Sequence, residues 1–304
     1  MTARSVGFEV WDVFTDRTFG GNPLAVIRDA RNLDAAEMQR IAREFNFSES
    51  TFVLPPATAA GTARVRIFTP TDELPFAGHP TVGTAIALAA AGDAFGAPVG
   101  DTLVLEEGVG PIACSVRQDS GLWQADFTTE TPFRRLGEVD PAAVAACLSL
   151  PGSAIRSTRH RPVLASKGLA FVLAELADHA ALDAAAPDLA AFRTAAAAHP
   201  AAAGHFHIAA YVREAPGRVA MRMFAPLTGV IEDPATGSAA AALGALLCDL
   251  GGAPVDIAIA QGVAMGRPST IKVRAETRGS LSIVQVGGSA VKVMQGTLSL
   301  PAAT

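Results

Sequence analysis

The sequence predicts an α/β fold of two similar halves, each a curved, mostly antiparallel sheet wrapped around one central helix. Three observations lead there. The first is an internal echo: Arg66-Ile67-Phe68-Thr69-Pro70-Thr71-Asp72-Glu73-Leu74-Pro75-Phe76-Ala77-Gly78-His79-Pro80-Thr81 returns in degenerate form. The second copy reads Arg222-Met223-Phe224-Ala225-Pro226, a spacer, then Glu232-Asp233-Pro234-Ala235-Thr236-Gly237-Ser238-Ala239-Ala240. Phe68 and Phe224 are 156 positions apart and Gly78 and Gly237 are 159 apart, so the second loop is three residues longer. Such self-similarity signals duplicated structural units. The second observation is that His79–Gly92 carries no acid, Lys or Arg, and Ser238–Leu250 carries only Asp249. A surface helix shows a polar face, whereas one that is apolar all round is buried on every side. The third is composition: 50% hydrophobic and 17% charged over 304 residues, against roughly a quarter charged in average domains. That fits a large core and a chain long enough for two domains. The halves are placed at 1–128 with 288–304, and at 129–287.

Each element has its own signal. Phe8–Val13 alternates as a strand, and Leu24–Arg28 follows the turn Gly20-Gly21-Asn22-Pro23. Asp34 caps a helix over Ala35–Phe45, with Met38, Ile41 and Ala42 on one face. Thr51–Leu54 and Ala63–Phe68 read as strands. The first central helix runs from Pro80, at its first position, to Ala91, and Gly92 stops it. Leu103–Glu106, Pro111–Gln118 and Leu122–Thr128 are strands. In the second half, Val139–Leu148 forms a helix capped by Asp140, and Leu189–Ala198 another. Ala170–Ala174 is a strand in which Phe171-Val172-Leu173 matches Phe52-Val53-Leu54. Phe206–Arg213 and Val219–Phe224 are strands, and the second central helix, Ser238–Leu250, ends at Gly251-Gly252. Lys272-Val273-Arg274 mirrors Ser115-Val116-Arg117, and strands near Leu281–Val286 and Ala290–Leu298 close the chain. Gly83, Ala87, Gly244 and Ala245 let the sheets approach their helices closely. Each buried helix then exposes only its first turn, whose free N–H groups and positive dipole end need an acceptor. The two loops are expected to meet at a seam between the halves and to bind an anion such as a substrate carboxylate.

Several function classes are excluded. A net charge of −5, without a Lys/Arg cluster, argues against nucleic acid. Cys114, Cys147 and Cys248 are too few and scattered for a disulfide framework or zinc site. They read as buried thiols in a reducing compartment. Residues 1–14 lack a secretory h-region, and the apolar runs fall short of the ~18 residues of a membrane span. The expected location is the cytoplasm. His205 and His207 share a face of a strand, but no third ligand stands at a suitable spacing, so no metal is expected. The Gly20-Gly21-Asn22-Pro23 turn lacks the ending of a phosphate loop.

The residues that could carry chemistry sit in the loops. Glu49 lies between an amphipathic helix and an apolar strand, where desolvation would raise its pKa and suit it to acid/base work. A solvated turn acid is the plainer reading of a lone Glu there. His79 follows Gly78 at a helix start, where the dipole favours the neutral ring; it serves either as a cap or as a proton shuttle. Asp233 would pair with His79 or hold a substrate amine, or simply form an Asp-Pro turn. Gly237 and Ser238 offer N–H groups and a hydroxyl to an anion, a role compatible with capping.

Four segments together resemble the PhzF family of phenazine-biosynthesis isomerases and their relatives. They are Phe14-Thr15-Asp16-Arg17-Thr18-Phe19-Gly20-Gly21-Asn22-Pro23-Leu24-Ala25-Val26, Ser48-Glu49-Ser50-Thr51-Phe52, Glu73–Thr81 and Glu232–Ala239. The resemblance implies the diaminopimelate epimerase-like fold, a homodimer, and cofactor-free proton transfer on a small carboxylate-bearing substrate. It implies Glu49 as the general acid/base, with His79 and Asp233 relaying protons. Gly78, Gly237 and Ser238 would bind substrate, and Asn22 would lie near the cleft. Related racemases use two cysteines at the helix-start loops, where this chain has His79 and Ser238, so a two-thiol racemase is disfavoured. The leading expectation is an isomerase of the trans-2,3-dihydro-3-hydroxyanthranilate type. The alternatives are an epimerase or racemase of a small amino or hydroxy acid, and a non-catalytic small-acid binding protein.

Overall fold

The computed structural model describes residues 4–204, 206–279 and 281–301. They divide into two compact units: one runs to Thr128 and resumes at Gly287, and the other is Thr129–Val286. The first contains β1 (Arg4–Val13), β2 (Asn22–Ile27), α1 (Ala35–Phe45), β3 (Glu49–Leu54), β4 (Ala63–Phe68), β5 (Glu73–Leu74) and α2 (Gly78–Ala91). The small hairpin β6 (Asp93–Ala94) and β7 (Ala97–Pro98) follows, then β8 (Thr102–Glu107), β9 (Gly110–Asp119) and β10 (Leu122–Thr129). The second contains β11 (Arg134–Glu138), α3 (Pro141–Cys147), β12 (Val163–Ser166), β13 (Ala170–Glu175), α4 (His179–Ala184) and α5 (Leu189–Ala198). It continues through β14 (Ile208–Ala215), β15 (Arg218–Ala225), β16 (Val230–Asp233), α6 (Gly237–Gly251), β17 (Val255–Gln261) and β18 (Ser269–Arg278). The final strand, β19 (Leu281–Leu300), supplies the closing strand of the first unit.

Both units follow one pairing order. In the first, β1–β2 is antiparallel, β2–β3 parallel, β3–β4 and β4–β5 antiparallel, β4–β8 parallel and β8–β9 antiparallel. In the second the same sequence of relations runs through β12–β13, β13–β14, β14–β15, β15–β16, β15–β17 and β17–β18. Every parallel step needs a crossover, and helices supply it: α1, α2, α4 with α5, and α6. This order corrects one detail of the repeat. The Phe171-Val172-Leu173 strand, β13, occupies the place of β2, and the counterpart of Phe52-Val53-Leu54 on β3 is β14. Short buried strands of Phe, Val and Leu look alike whatever their position, so pairing decides where similarity of letters cannot.

α1 forms where an Asp34–Glu37 capping box starts it and Asn46, in the left-handed region, ends it. Its Met38, Ile41 and Ala42 face pack with Phe52 and Phe68. The central helices are of another kind. α2 is buried continuously from Gly78 to Leu88 and touches β1, β2, β3, β8 and β9. α6 is buried from Ala239 to Cys248 and touches β12, β13, β17 and β18. Gly83 is required by that approach: an added Cβ would stand 2.6 Å from both Leu24 Cδ2 and Val13 Cγ2. At Gly244 it would stand 2.5 Å from Val273 Cγ1. α2 begins two residues before the expected Pro80, because Thr81 N–H donates to Ala77 O and makes Ala77 the cap. The two closing strands expected at 281–286 and 290–298 are one strand, with Gly287 crossing so close to β10 that a Cβ would meet Asp126 Cβ at 2.6 Å. Among the described residues, no helix is long and apolar enough to cross a membrane.

A second duplicated device holds the loops that lead into the central helices. Arg66 forks onto Glu73 at 2.7 and 2.6 Å and lies over the Phe68 ring. Arg222 forks onto Glu232 at 2.9 and 2.7 Å and lies over the Phe224 ring. Paired N–H donors on a carboxylate fix direction as well as distance, which pins β5 and β16 to the strands before them. The second fork is the more buried, and Arg222 Nη1 also donates to the carbonyls of Leu182, Asp183 and Ala185 at the end of α4. Arg222→Ala strands Glu232 and those carbonyls, so it is expected to cost about 3 kcal/mol or more. Arg66→Ala, at a wetter pair, costs less than half of that. Urea denaturation of the two variants checks the order.

Candidate active site

In the first unit the loop residues singled out by sequence converge. Glu49 opens β3, directly opposite Leu24 of β2 in a parallel register, and Asn22 opens β2. His79 is the second residue of α2. Its Nδ1 lies 3.4 Å from Glu49 Oε2 and 3.5 Å from Asn22 Nδ2, and Ser48 Oγ donates to Asn22 Oδ1 at 3.1 Å. The His79 side chain is 4% exposed and that of Glu49 is 18% exposed, so the carboxylate is the member of the pair that solvent or substrate reaches.

The ring also bonds the Pro23 carbonyl. Nδ1 faces an acceptor, the Glu49 carboxylate, and a donor, the Asn22 amide, so either tautomer finds a partner there. Nε2 is buried and has no hydrogen-bond partner among the described residues. Burial pushes the ring pKa down to about 3, with the Pro23 bond pulling the other way. The imidazole is thus neutral at physiological pH.

The second unit builds its own loop. Asp233 ends β16 and is buried; the Thr236 hydroxyl donates to its Oδ2. Gln261, at the end of β17, ties the loop together. Its Nε2 donates to Asp233 O at 2.8 Å and to Thr236 Oγ1 at 3.0 Å, and its Oε1 accepts from Thr236 N at 3.1 Å. Ser269 Oγ donates to Pro234 O at 2.9 Å. Gly237 and Ser238 begin α6, with Ser238 half-buried at the position that His79 holds in α2.

Cap chemistry separates these two helices from the other four. Asp34, Asp140, Asp178 and Asp188 each accept a backbone N–H at the starts of α1, α3, α4 and α5. α2 and α6, the longest of the six, have no side-chain cap. Ala77 has nothing to offer, and Thr236 has committed its hydroxyl to Asp233. Their first N–H groups and dipole ends are left for an anion.

Other expectations fall differently. His205 lies outside the described residues. His207 is buried against the Phe171 ring, with Thr228 Oγ1 3.5 Å from Nε2. Among the described residues, no three His, Cys, Asp or Glu side chains come together as a metal would need. All three cysteines are buried and free, and burial holds the Cys114 and Cys147 thiols well above their ordinary pKa. They are inert, and none lies at a helix start. Ser48, Thr236, Gln261 and the Pro23 carbonyl were not singled out by sequence. Ser48 lay inside a quoted motif, and Gln261-Gly262 ends an alternating run from Val255, a strand signal that went unread.

Two α/β units with one pairing order, each closed around an uncapped helix, define the diaminopimelate epimerase-like class of fold. The family model for phenazine biosynthesis-like proteins matches residues 11–296. The chain belongs to this family, the PhzF family. It is 39% identical over 298 residues to a trans-2,3-dihydro-3-hydroxyanthranilate isomerase of Pseudomonas aeruginosa, an alignment covering 95% of this chain and 98% of that one. It is 41% identical over 300 residues to an uncharacterized isomerase of Mesorhizobium japonicum, covering 95% and 97%. A crystal structure of a PhzF-family phenazine biosynthesis protein from Bacillus anthracis superposes with a TM-score of 0.86 at 23% identity, covering 97% of this chain and 99% of that one.

The depressed histidine pKa has a measurable consequence. A base whose folded pKa lies below its unfolded one stabilises the fold above the unfolded value and loses that contribution as pH falls toward the folded one. Between pH 6.5 and about 3 the His79 ring therefore destabilises the acidified protein. His79→Gln, which cannot ionise, is expected to show a shallower fall of Tm with acid over that window. Parallel Tm profiles would contradict the neutral buried ring.

Proposed function

We propose that this PhzF-family isomerase moves a proton on a small carboxylate-bearing substrate, using its own side chains as acid and base. The observation that carries the reading is the Glu49–His79 pair at the start of an uncapped helix: a reachable carboxylate 3.4 Å from a buried neutral imidazole. Glu49 takes a proton from one substrate carbon. The C–H electrons move through the adjacent double bond, and the proton returns to the far carbon, so composition is unchanged. The first turns of α2 and α6 offer backbone N–H groups to a carboxylate, at Gly78 in one and at Gly237 in the other, where Ser238 adds a hydroxyl. Fixed dipoles stabilise the developing charge without reorganising during the step. His79, buried behind Glu49, relays the proton through the nitrogen that faces the carboxylate. Asp233, oriented by Thr236, holds the substrate amine, and Asn22 braces the His79 side.

The substrate proposed is trans-2,3-dihydro-3-hydroxyanthranilate or a near relative, the compound in the name of the Pseudomonas relative. A homodimer and a cytoplasmic location belong to the same proposal, supported by the family resemblance and the 17% charged content.

The test is proton NMR in deuterated buffer with that compound, with wild type and Glu49→Gln side by side. Isomerisation with deuterium uptake is expected in wild type. Glu49→Gln keeps ligand binding and loses ~10²–10⁴ in rate, the usual weight of a general acid/base. Equal turnover in the two proteins removes Glu49 from the mechanism. Stereochemical scrambling of one centre, without double-bond migration, makes the protein an epimerase.

A further inference from the structure

Glu107, at the end of β8, is a buried carboxyl that the proposed mechanism does not use. Its Oε2 has no hydrogen-bond partner among the described residues, and no Lys or Arg pairs with it. Its Oε1 lies 2.8 Å from Thr81 Oγ1, and the same hydroxyl lies 2.8 Å from Ala77 O, the cap residue of α2. A hydroxyl has one proton to donate and a carbonyl has none. When Thr81 donates to Ala77, the proton between Thr81 and Glu107 has to come from the carboxyl.

The second unit repeats the arrangement with an amide. β8 and β17 hold equivalent places in the pairing order, and Glu107-Gly108 ends one as Gln261-Gly262 ends the other. Each glycine lies against the loop before its central helix: a Cβ on Gly108 would stand 2.7 Å from Pro75 Cα, and one on Gly262 2.6 Å from Pro234 O. Gln261 binds Thr236, the cap residue of α6, as Glu107 reaches Ala77 through Thr81. A protonated carboxyl and a primary amide have nearly the same shape, and each offers a donor and an acceptor.

We propose that Glu107 is a positioning residue for the Ala77-Gly78-His79 turn, serving as the neutral acid in the role that the Gln261 amide fills for Asp233 and Thr236. This rests on the reading of His79 as a site residue. The surroundings agree with it. Burial pushes the carboxyl up to about 8, against the Thr81 bond, which acts in the other direction. The titratable group facing it from β9 is Cys114, itself held up by burial and by Glu107, with Asp126 of β10 beside that thiol. α2 contributes His79 as its one titratable side chain. Ionised Glu107 could no longer donate to Thr81 and would place a negative charge by the first turn of α2, where the substrate carboxylate is to bind. An acid with a raised folded pKa stabilises the fold below its unfolded value, 4.5, and loses that contribution as pH rises through the folded one.

The experiment follows the His79 ring by ¹⁵N NMR from pH 6 to 9.5 in wild type and Glu107→Gln, with His79→Gln to assign the signals. In wild type the signals are expected to move with a midpoint near 8. In Glu107→Gln they stay at the wild-type low-pH position throughout, and the Tm of that variant lacks the wild-type decline between pH 5 and 8. His79 signals that stay fixed in wild type, or that move with the same midpoint in Glu107→Gln, overturn the proposal. Turnover of trans-2,3-dihydro-3-hydroxyanthranilate over the same range is expected to fall about tenfold per pH unit above the midpoint in wild type only. Absence of turnover in both proteins at every pH bears on the isomerase reading alone, and the ring signals still decide the role of Glu107.

Discussion

Each unit is organised by a helix that is buried along nearly its whole length, first turn included, and exposed only in its last residues. Burying α2 and α6 removes any polar face, so the sequence there is mostly Ala, Leu and Gly, and the sheet must curve around a cylinder. Gly83 and Gly244 set how near the strands come. The same burial fixes the direction of the helix axis and, with it, the place where N–H groups emerge. The fold thus presents two dipole ends without side-chain caps, while the other described α-helices are all capped by Asp.

Duplication supplied the frame, and divergence at a few positions supplied the chemistry. Arg66–Glu73 and Arg222–Glu232 are the same fork over the same aromatic ring. The position after that Glu is Leu74 in one unit and Asp233 in the other, and the second helical position is His79 in one and Ser238 in the other. Glu107 is a carboxyl that can ionise where Gln261 is an amide that cannot. A frame that repeats while its polar positions do not is suited to asymmetric chemistry, in which a proton leaves one carbon and arrives at another.

The Glu49–His79 pair draws its character from unequal exposure. His79 is too buried to carry charge, while Glu49 remains within reach of solvent. Nδ1 carries the contacts to Glu49 and Asn22, and Nε2 is buried without a partner among the described residues.

Much of this was legible in the chain. The repeat from Arg66 and from Arg222, the uncharged central helices, the Asp34 cap and the four motifs specified the fold class and the family. They do so because burial, capping and turn formation leave local marks on composition and spacing. Tertiary structure decided the rest. The match of Phe171-Val172-Leu173 to β2 rather than β3, the start of α2 at Gly78, and the union of the closing strands depend on pairing between segments far apart in sequence. So do the neutral state of His79, the tie from Gln261 to Thr236 and the neutral state of Glu107. A lone Glu in the sequence says nothing of whether water, an arginine or a threonine will meet it; only the packed chain removes the solvent and determines which partner remains.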